Sequence, residues 1–262
     1  MRDIVLLTDF GLSDPYVGQM KGVLAALAPK TRVLDLTHGV MPHNVLQAAF
    51  FLTASWPWFR PGSLFLAVVD PGVGTNRGFV LLETHDRLFL APDNGLLSLL
   101  LAETFTSLWV LETAPFRRTS SQTFHGRDIF APLAAKLSSG IAPESLGRPA
   151  GAEEVICCAW REPDARQDSV LCTVLHVDRF GNIVLNLRED LWWNTLCSRT
   201  ALALGPERTI LHPVRTYAEI PAGKLGILRG SQGFLEVAAD RDNASRRVRA
   251  ESGTPLLLQW SK

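Results

Sequence analysis

Three side chains able to hold or move a proton stand beside glycines in this chain. Asp70 lies in Val68-Val69-Asp70-Pro71-Gly72-Val73-Gly74, Arg77 follows it by seven residues, and His125 lies in Thr123-Phe124-His125-Gly126-Arg127-Asp128. Glycine lets backbone approach a ligand closely, and it also simply makes tight turns. An acid, a guanidinium and an imidazole in such loops can hold and polarise a small nucleophile. Taken singly, each has a plainer structural reading. Asp9 ends a short apolar run and can form a turn or cap a helix, or it can accept both hydroxyls of a ribose. Gly72-Val73-Gly74 has no helix after it, so it is not a dinucleotide fingerprint.

Further along, His176-Val177-Asp178-Arg179-Phe180-Gly181-Asn182 puts an acid, an aromatic and an amide at a turn. The plain reading is a tight turn with a packed Phe. The chemical reading is a carboxylate and amide facing the ammonium of an amino acid. In Ala91-Pro92-Asp93-Asn94-Gly95, Asp93 or Asn94 is expected to cap the helix that follows. His38 and His43 read as a rim, and His85 and His212 as solvated loop residues.

The elements that must place these groups follow from periodicity. Strands are expected at Ile4 to Leu7, Thr31 to Leu36, Ser63 to Val69 and Ser107 to Glu112, with a hairpin joining Phe79 to Glu83 and Leu88 to Ala91. Helices are expected at Tyr16 to Leu27, Asn44 to Trp56, Gly95 to Glu103 and Asp128 to Ser138. Alternating strands and helices imply a Rossmann-like α/β layer with a largely parallel sheet over residues 1–150. Ligands of such sheets bind beyond the carboxyl ends of the strands, where Asp9 and Asp70 fall. Residues 151–169 are polar and carry Pro163, as a linker does. Residues 170–262 carry short strand signals separated by turns, which predicts a smaller β-barrel domain.

Composition sets the outer bounds. Over 262 residues, 47% are hydrophobic and 20% charged, a globular balance. The 26 basic and 26 acidic residues cancel, which argues against nucleic-acid or membrane-surface binding, since both need a cationic face. No apolar run is long enough to span a membrane, and no export signal stands out. Cys157, Cys158, Cys172 and Cys197 form no CxxC pair, so they read as reduced thiols of a cytoplasmic protein without a zinc site.

The strings TDFG with YVGQMKG, DLTHGV, VVDPGVG, APDNGLL, TFHGRDIFAP, VDRFGN and GSQGFLEVA occur in this order between Ile4 and Ala244. In them the chain resembles the S-adenosyl-L-methionine hydroxide adenosyltransferases, relatives of the fluorinase and chlorinase enzymes. The resemblance implies an α/β domain followed by a β-barrel. It also implies a homotrimer with active sites between the N-terminal domain of one subunit and the C-terminal domain of the next. The implied reaction is S-adenosyl-L-methionine plus water giving adenosine and L-methionine, with neither metal nor organic cofactor. The water-activating triad falls on Asp70, Arg77 and His125, and the ribose-binding acid on Asp9. Asp178, Asn182 and Ser231 match the methionine end. Phe180, Tyr217, Asn243 and the backbone of Ala244 match the adenine side, and Thr123 and Phe124 lie near the reacting carbon.

The chain departs from the halogenases. Beside Ser231 it has Gln232 where they carry Arg, Asp240 to Asp242 form an insertion near the adenine segment, and Gly126 replaces the fluorinase halide-pocket serine. The fluorinase's added N-terminal loop has no counterpart. The chemistry also favours water. Its pKa of about 15.7 demands activation, whereas a halide needs no deprotonation and would leave an Asp-Arg-His set without a task. The alternatives are a chlorinase-like halide adenosyl transferase and a non-catalytic S-adenosylmethionine or nucleoside binder.

Overall fold

The computed structural model describes residues 1–112, 121–199 and 201–261. Two compact units divide between Cys158 and Ala159, inside the stretch expected as a linker.

The first unit is built on strands buried on both faces. β1 (Ile4–Thr8) and β3 (Leu64–Val68) are apolar at almost every position and fully covered. Such runs suit the middle of a parallel sheet, where side chains alternate into two cores. Ile4, Leu6, Leu64, Leu66 and Val68 pack on one side with Met20 and Leu24 of α1 (Tyr16–Leu27). Val5, Leu7, Phe65 and Ala67 pack on the other with Ala48 and Leu52 of α2 (Val45–Ser55). Asn44 caps α2, its side chain accepting from Gln47 N at 2.9 Å.

The remaining strands are β2 (Val33–Thr37), β4 (Phe79–Thr84), β5 (Arg87–Pro92), β6 (Ser107–Leu111) and β7 (Gly147–Pro149), in the order β2-β1-β3-β5-β4-β6-β7. β2, β1, β3 and β5 are mutually parallel, and β6 runs with them, so only β4 and β7 oppose. The sheet is largely parallel, and the β4–β5 hairpin is where the sequence places it. The helix expected over Gly95 to Glu103 shortens to α3 (Ser98–Leu101), whose N-cap is Leu97. Neither Asp93 nor Asn94 caps it, because both lie too far before its first turn. The helix expected from Asp128 opens as a π-helical turn, Gly126–Phe130, and continues as α4 (Ala131–Ser138).

The second unit is a barrel. β9 (Ser169–Val177), β10 (Ile183–Arg188), β11 (Ala201–Leu204), β12 (Thr209–Pro213), β13 (Leu225–Arg229), β14 (Phe234–Ala239) and β15 (Pro255–Ser261) form one sheet that closes through the β9–β10 pairing. β8 (Asp164–Ala165) adds to β9. Alternate residues such as Val170, Cys172 and Val174 point into the core with Ile183, Leu185 and Leu187, the period-two pattern of a barrel interior. α5 (Glu189–Cys197) follows β10, and α6 (Ala244–Val248) follows β14. β12 carries His212, which corrects its reading as a loop residue. All four cysteines are free. Among the described residues, no helix is long and apolar enough to cross a membrane.

Candidate functional site

Parallel register brings the separated motifs of the first unit together. Thr8 of β1 lies opposite Val68 of β3, so Asp9 and Asp70 leave neighbouring strands at the same edge. Their loops then fold over that edge. Asp9 Oδ2 accepts from His43 N at 2.8 Å, which ties it to the loop after β2. Its other oxygen accepts no hydrogen bond among the described residues.

Asp70, Arg77 and His125 meet. Arg77 donates through Nε to Asp70 Oδ1 at 2.5 Å and through Nη2 to Asp70 Oδ2. Arg77 Nη2 also lies 3.4 Å from His125 Nδ1. A guanidinium only donates, so Nδ1 accepts and the imidazole proton belongs on Nε2. The pair is sheltered, with side-chain exposures of 8% for Arg77 and 5% for Asp70. Arg77 lies 4.6 Å from the Phe79 ring centroid, a cation–π contact that helps to hold the guanidinium in place. The loop between them is constrained at Gly74, where φ is +83° and a Cβ would lie 2.8 Å from Gln122 O.

A cavity of about 610 Å³ opens at this edge, lined by Asp9, Asp70, Thr123, Phe124 and His125 among others. Arg77 is not part of its wall. It stands behind and joins Asp70 to His125. The sequence reading missed two aromatics here. Phe10, Tyr16 and Phe124 form a cluster with ring centroids 5.2 to 5.8 Å apart, and Phe10 and Tyr16 line the cavity. Their signal was present in TDFG and at the first residue of α1. The loop carrying Thr123, Phe124 and His125 is closed by Asp128, which accepts from Ser121 N at 2.7 Å and from both ends of the Arg127 guanidinium. The Arg127 hydrogen bonds foremost, aided by Ser121 N, hold the Asp128 carboxyl below its usual range.

His38 is not on a rim. It is 5% exposed, with Nδ1 2.8 Å from Thr8 Oγ1 and Nε2 3.1 Å from Asp35 Oδ1. His43 does line the cavity.

The second unit has a cavity of about 740 Å³ lined by Asp178, Phe180, Asn182, Tyr217 and Asn243 together with Ala239, Arg241 and Asp242. Asp178 is largely occupied by its own turn. Oδ1 accepts from Phe180 N and Asn182 N, both at 2.8 Å, and Oδ2 accepts from Asn182 Nδ2 at 2.9 Å. Gly181 has φ +87°, and a Cβ there would collide with the Asn243 side chain. That contact seats the Asp178 turn on the N-cap of α6, where Asn243 Oδ1 accepts from Arg246 N. Ala244 is fully buried below the wall. Ser231 sits outside the cavity, in the exposed turn between β13 and β14.

Glu236 was also missed, an acid inside the apolar strand Phe234–Ala239. It is 8% exposed and accepts from Tyr217 OH at 2.6 Å. Burial foremost, with the nearby Asp178 charge, pushes its carboxyl above the usual range. Burial and the Glu236 bond likewise raise Tyr217. Among the described residues, no group of three or more His, Cys, Asp and Glu is placed to hold a metal ion.

Residues 4–147 match the SAM hydroxide adenosyltransferase N-terminal domain, and residues 172–257 match its C-terminal domain. The chain is 37% identical to an (R)-S-adenosyl-L-methionine hydrolase of Thermus thermophilus over 278 residues, covering 98% of this chain and 100% of that protein. A fluorinase of an Actinoplanes species is more distant, at 26% identity over 269 residues and 90% of each chain. A crystal structure of an uncharacterized conserved protein from Thermotoga maritima superposes with TM-score 0.86 at 32% identity, covering 98% of this chain and 99% of that one. With both domain models matched in order over most of its length, and with a relative 37% identical across nearly the whole chain, the chain belongs to the SAM hydroxide adenosyltransferase family.

Proposed function

We propose that this protein is an S-adenosyl-L-methionine hydrolase that forms adenosine and L-methionine. One observation carries the reading: Asp70 and His125, joined from behind by Arg77, face the same cavity as Asp9. Water bonds to C5′, the C5′–S bond breaks, its electron pair leaves on sulfur, and one proton is released. The departing thioether is neutral, so no general acid is required. His125 Nε2–H and the Asp70 carboxylate orient the water, and Arg77 holds both in register. Placing the water in line behind C5′ supplies a large share of the acceleration. The aromatic wall of Phe10, Tyr16 and Phe124 excludes bulk water, which strengthens these interactions. The chemistry needs neither a metal nor an organic cofactor.

Asp9 anchors the ribose through its free oxygen. In the barrel unit, Phe180, Tyr217, Asn243 and the Ala244 backbone take the adenine, while Asp178, Asn182 and Ser231 take the methionine end. The two cavities belong to different units, and the reading joins them across subunits of a homotrimer, barrel unit of one to α/β unit of the next. Asp178, spent on its own turn, acts on the ammonium mainly through its charge and by fixing Asn182. The protein works in the cytoplasm.

The weaker identity to fluorinase and the Asp-Arg-His set favour water over halide. The test is incubation with each sulfonium epimer of S-adenosylmethionine in labelled water, with chromatography and mass analysis of the products. Both epimers matter because the Thermus thermophilus relative is named for the R form. Adenosine carrying the label on its 5′ oxygen is the expected product. A 5′-chloro nucleoside formed in chloride buffer, or tight binding without turnover, would replace this reading.

A further inference from the structure

We propose that Asn94 is a positioning residue that sets the Asp70–Arg77 pair for turnover. This rests on the reading that the pair and His125 activate water. β5 runs parallel to β3, so the turn after β5 reaches the same edge as Asp70. Pro92, the last residue of β5, has no N–H with which to continue the ladder. The side chain of Asn94 supplies a donor there. Its Nδ2 donates to Val69 O at 2.8 Å, and Val69 is fully buried and adjoins Asp70. Its Oδ1 accepts from Leu96 N at 3.2 Å, which settles which end of the amide faces Val69.

The same turn holds the other end of the loop. Asp93 N donates to Gly78 O at 3.0 Å, and Arg77 Nη1 donates to that same oxygen at 3.2 Å. One turn therefore grips the Val69–Asp70 peptide and the Gly78–Phe79 peptide, which bracket the loop from Asp70 to Arg77. Asn94 itself is absent from the cavity wall. Loss of its donor would leave the Val69 carbonyl unpaired and free the backbone that aims Asp70. Misplacing reacting groups by about 1 Å costs roughly 100-fold in rate, so turnover should suffer while substrate contacts elsewhere persist.

The test uses the full chain with Asn94→Ala and Asn94→Asp. Steady-state turnover of S-adenosylmethionine is measured across pH, alongside adenosine affinity and thermal melting. Expected is a fall in kcat of about 10- to 100-fold in both variants, with KM and adenosine affinity within about twofold. Asn94→Asp keeps the acceptor for Leu96 N but faces Val69 O with an anion. Its kcat relative to wild type should recover as pH drops toward about 4, where a protonated carboxyl donates again. Asn94→Ala should show no such recovery, a contrast that simple loss of stability would not produce. Wild-type kcat in both variants overturns the proposal, as does a parallel loss of kcat and adenosine affinity, or an unfolded Asn94→Asp at every pH. If the wild type makes no adenosine, or Asp70→Asn turns over normally, the underlying reading fails instead.

Discussion

Arg77 grips Asp70 through both carboxylate oxygens, with Nε 2.5 Å from Oδ1, and the same guanidinium lies 3.4 Å from His125. The bond pairs a planar fork with a planar acceptor, a geometry that lysine cannot reproduce. It makes Asp70 the organiser of the set as well as part of the cavity wall.

Asp70→Asn keeps the size of the side chain and removes its charge. One nitrogen of the amide would face the guanidinium, so Arg77 would swing and His125 would lose its neighbour. Turnover should fall by about 10²–10³, the usual cost of one charge-stabilising contact, with near-normal binding of S-adenosylmethionine. Single-turnover rates and calorimetric titration separate the two quantities. Lost binding in Asp70→Asn together with intact turnover in His125→Ala would make Asp70 a ligand anchor.

Asp9→Ala should act on binding. The carboxylate is available before and during reaction, so losing it weakens ground state and transition state alike. Affinity for S-adenosylmethionine and for adenosine should drop by roughly 1.5–3 kcal/mol. Asp9→Asn retains an acceptor for His43 N and should lose less. A 2′,3′-dideoxy analogue of adenosine should bind wild type and Asp9→Ala equally. A preserved difference between the two proteins with that analogue would remove Asp9 from ribose recognition.

Asp128 links stability to pH. Its hydrogen bonds from Arg127 and Ser121 N lower its pKa from the ordinary 3.8. A depressed carboxyl contributes stability above its unfolded pKa and loses it as pH falls through the folded value. Asp128→Asn should therefore lower Tm at pH 7, by the equivalent of about 1 kcal/mol or less for so accessible a pair. The difference from wild type should shrink below about pH 3.8. Melting curves at several pH values read this directly, and a gap that stayed constant would sever the effect from ionisation.

Complementation tests the proposed sharing of each site between subunits. Asp70→Ala alters the first unit and Asp178→Ala the second. If each site joins units from two subunits, mixed trimers should recover activity that neither variant has alone. Native mass spectrometry would report whether the protein is a trimer, and the activity of mixtures against mixing ratio would report whether its sites are shared. A fully active monomer would end that account.

The strand and helix alternation, the hairpin and the barrel were legible because they depend on local patterns. Runs such as Ile4–Thr8 and Leu64–Val68 are too apolar to lie anywhere but between two covered faces. The carboxyl-end positions of Asp9 and Asp70 follow from where those runs stop. β12 escaped notice because it is short and ends at Pro213, although the turn Gly205-Pro206-Glu207-Arg208 joins it to β11 as a hairpin; its other partner, β13, is parallel and no tight turn announces that pairing.

Partner choice is another matter. Arg77 could have faced solvent, and His38 was expected on a rim beside His43. The register of β1 against β2 and β3 decides that Thr8 meets His38 and that Asp9 comes beside Asp70. Asp93 or Asn94 was expected to cap α3, yet the β3–β5 register turns the Asn94 amide to Val69 O. Glu236 gave no signal, because one acid in an apolar strand has no visible partner until Tyr217 is folded against it. Periodicity is written within a few residues and was readable. Hydrogen bonds between loops far apart in the chain depend on how sheet strands are ordered and aligned, and only the tertiary structure decided those.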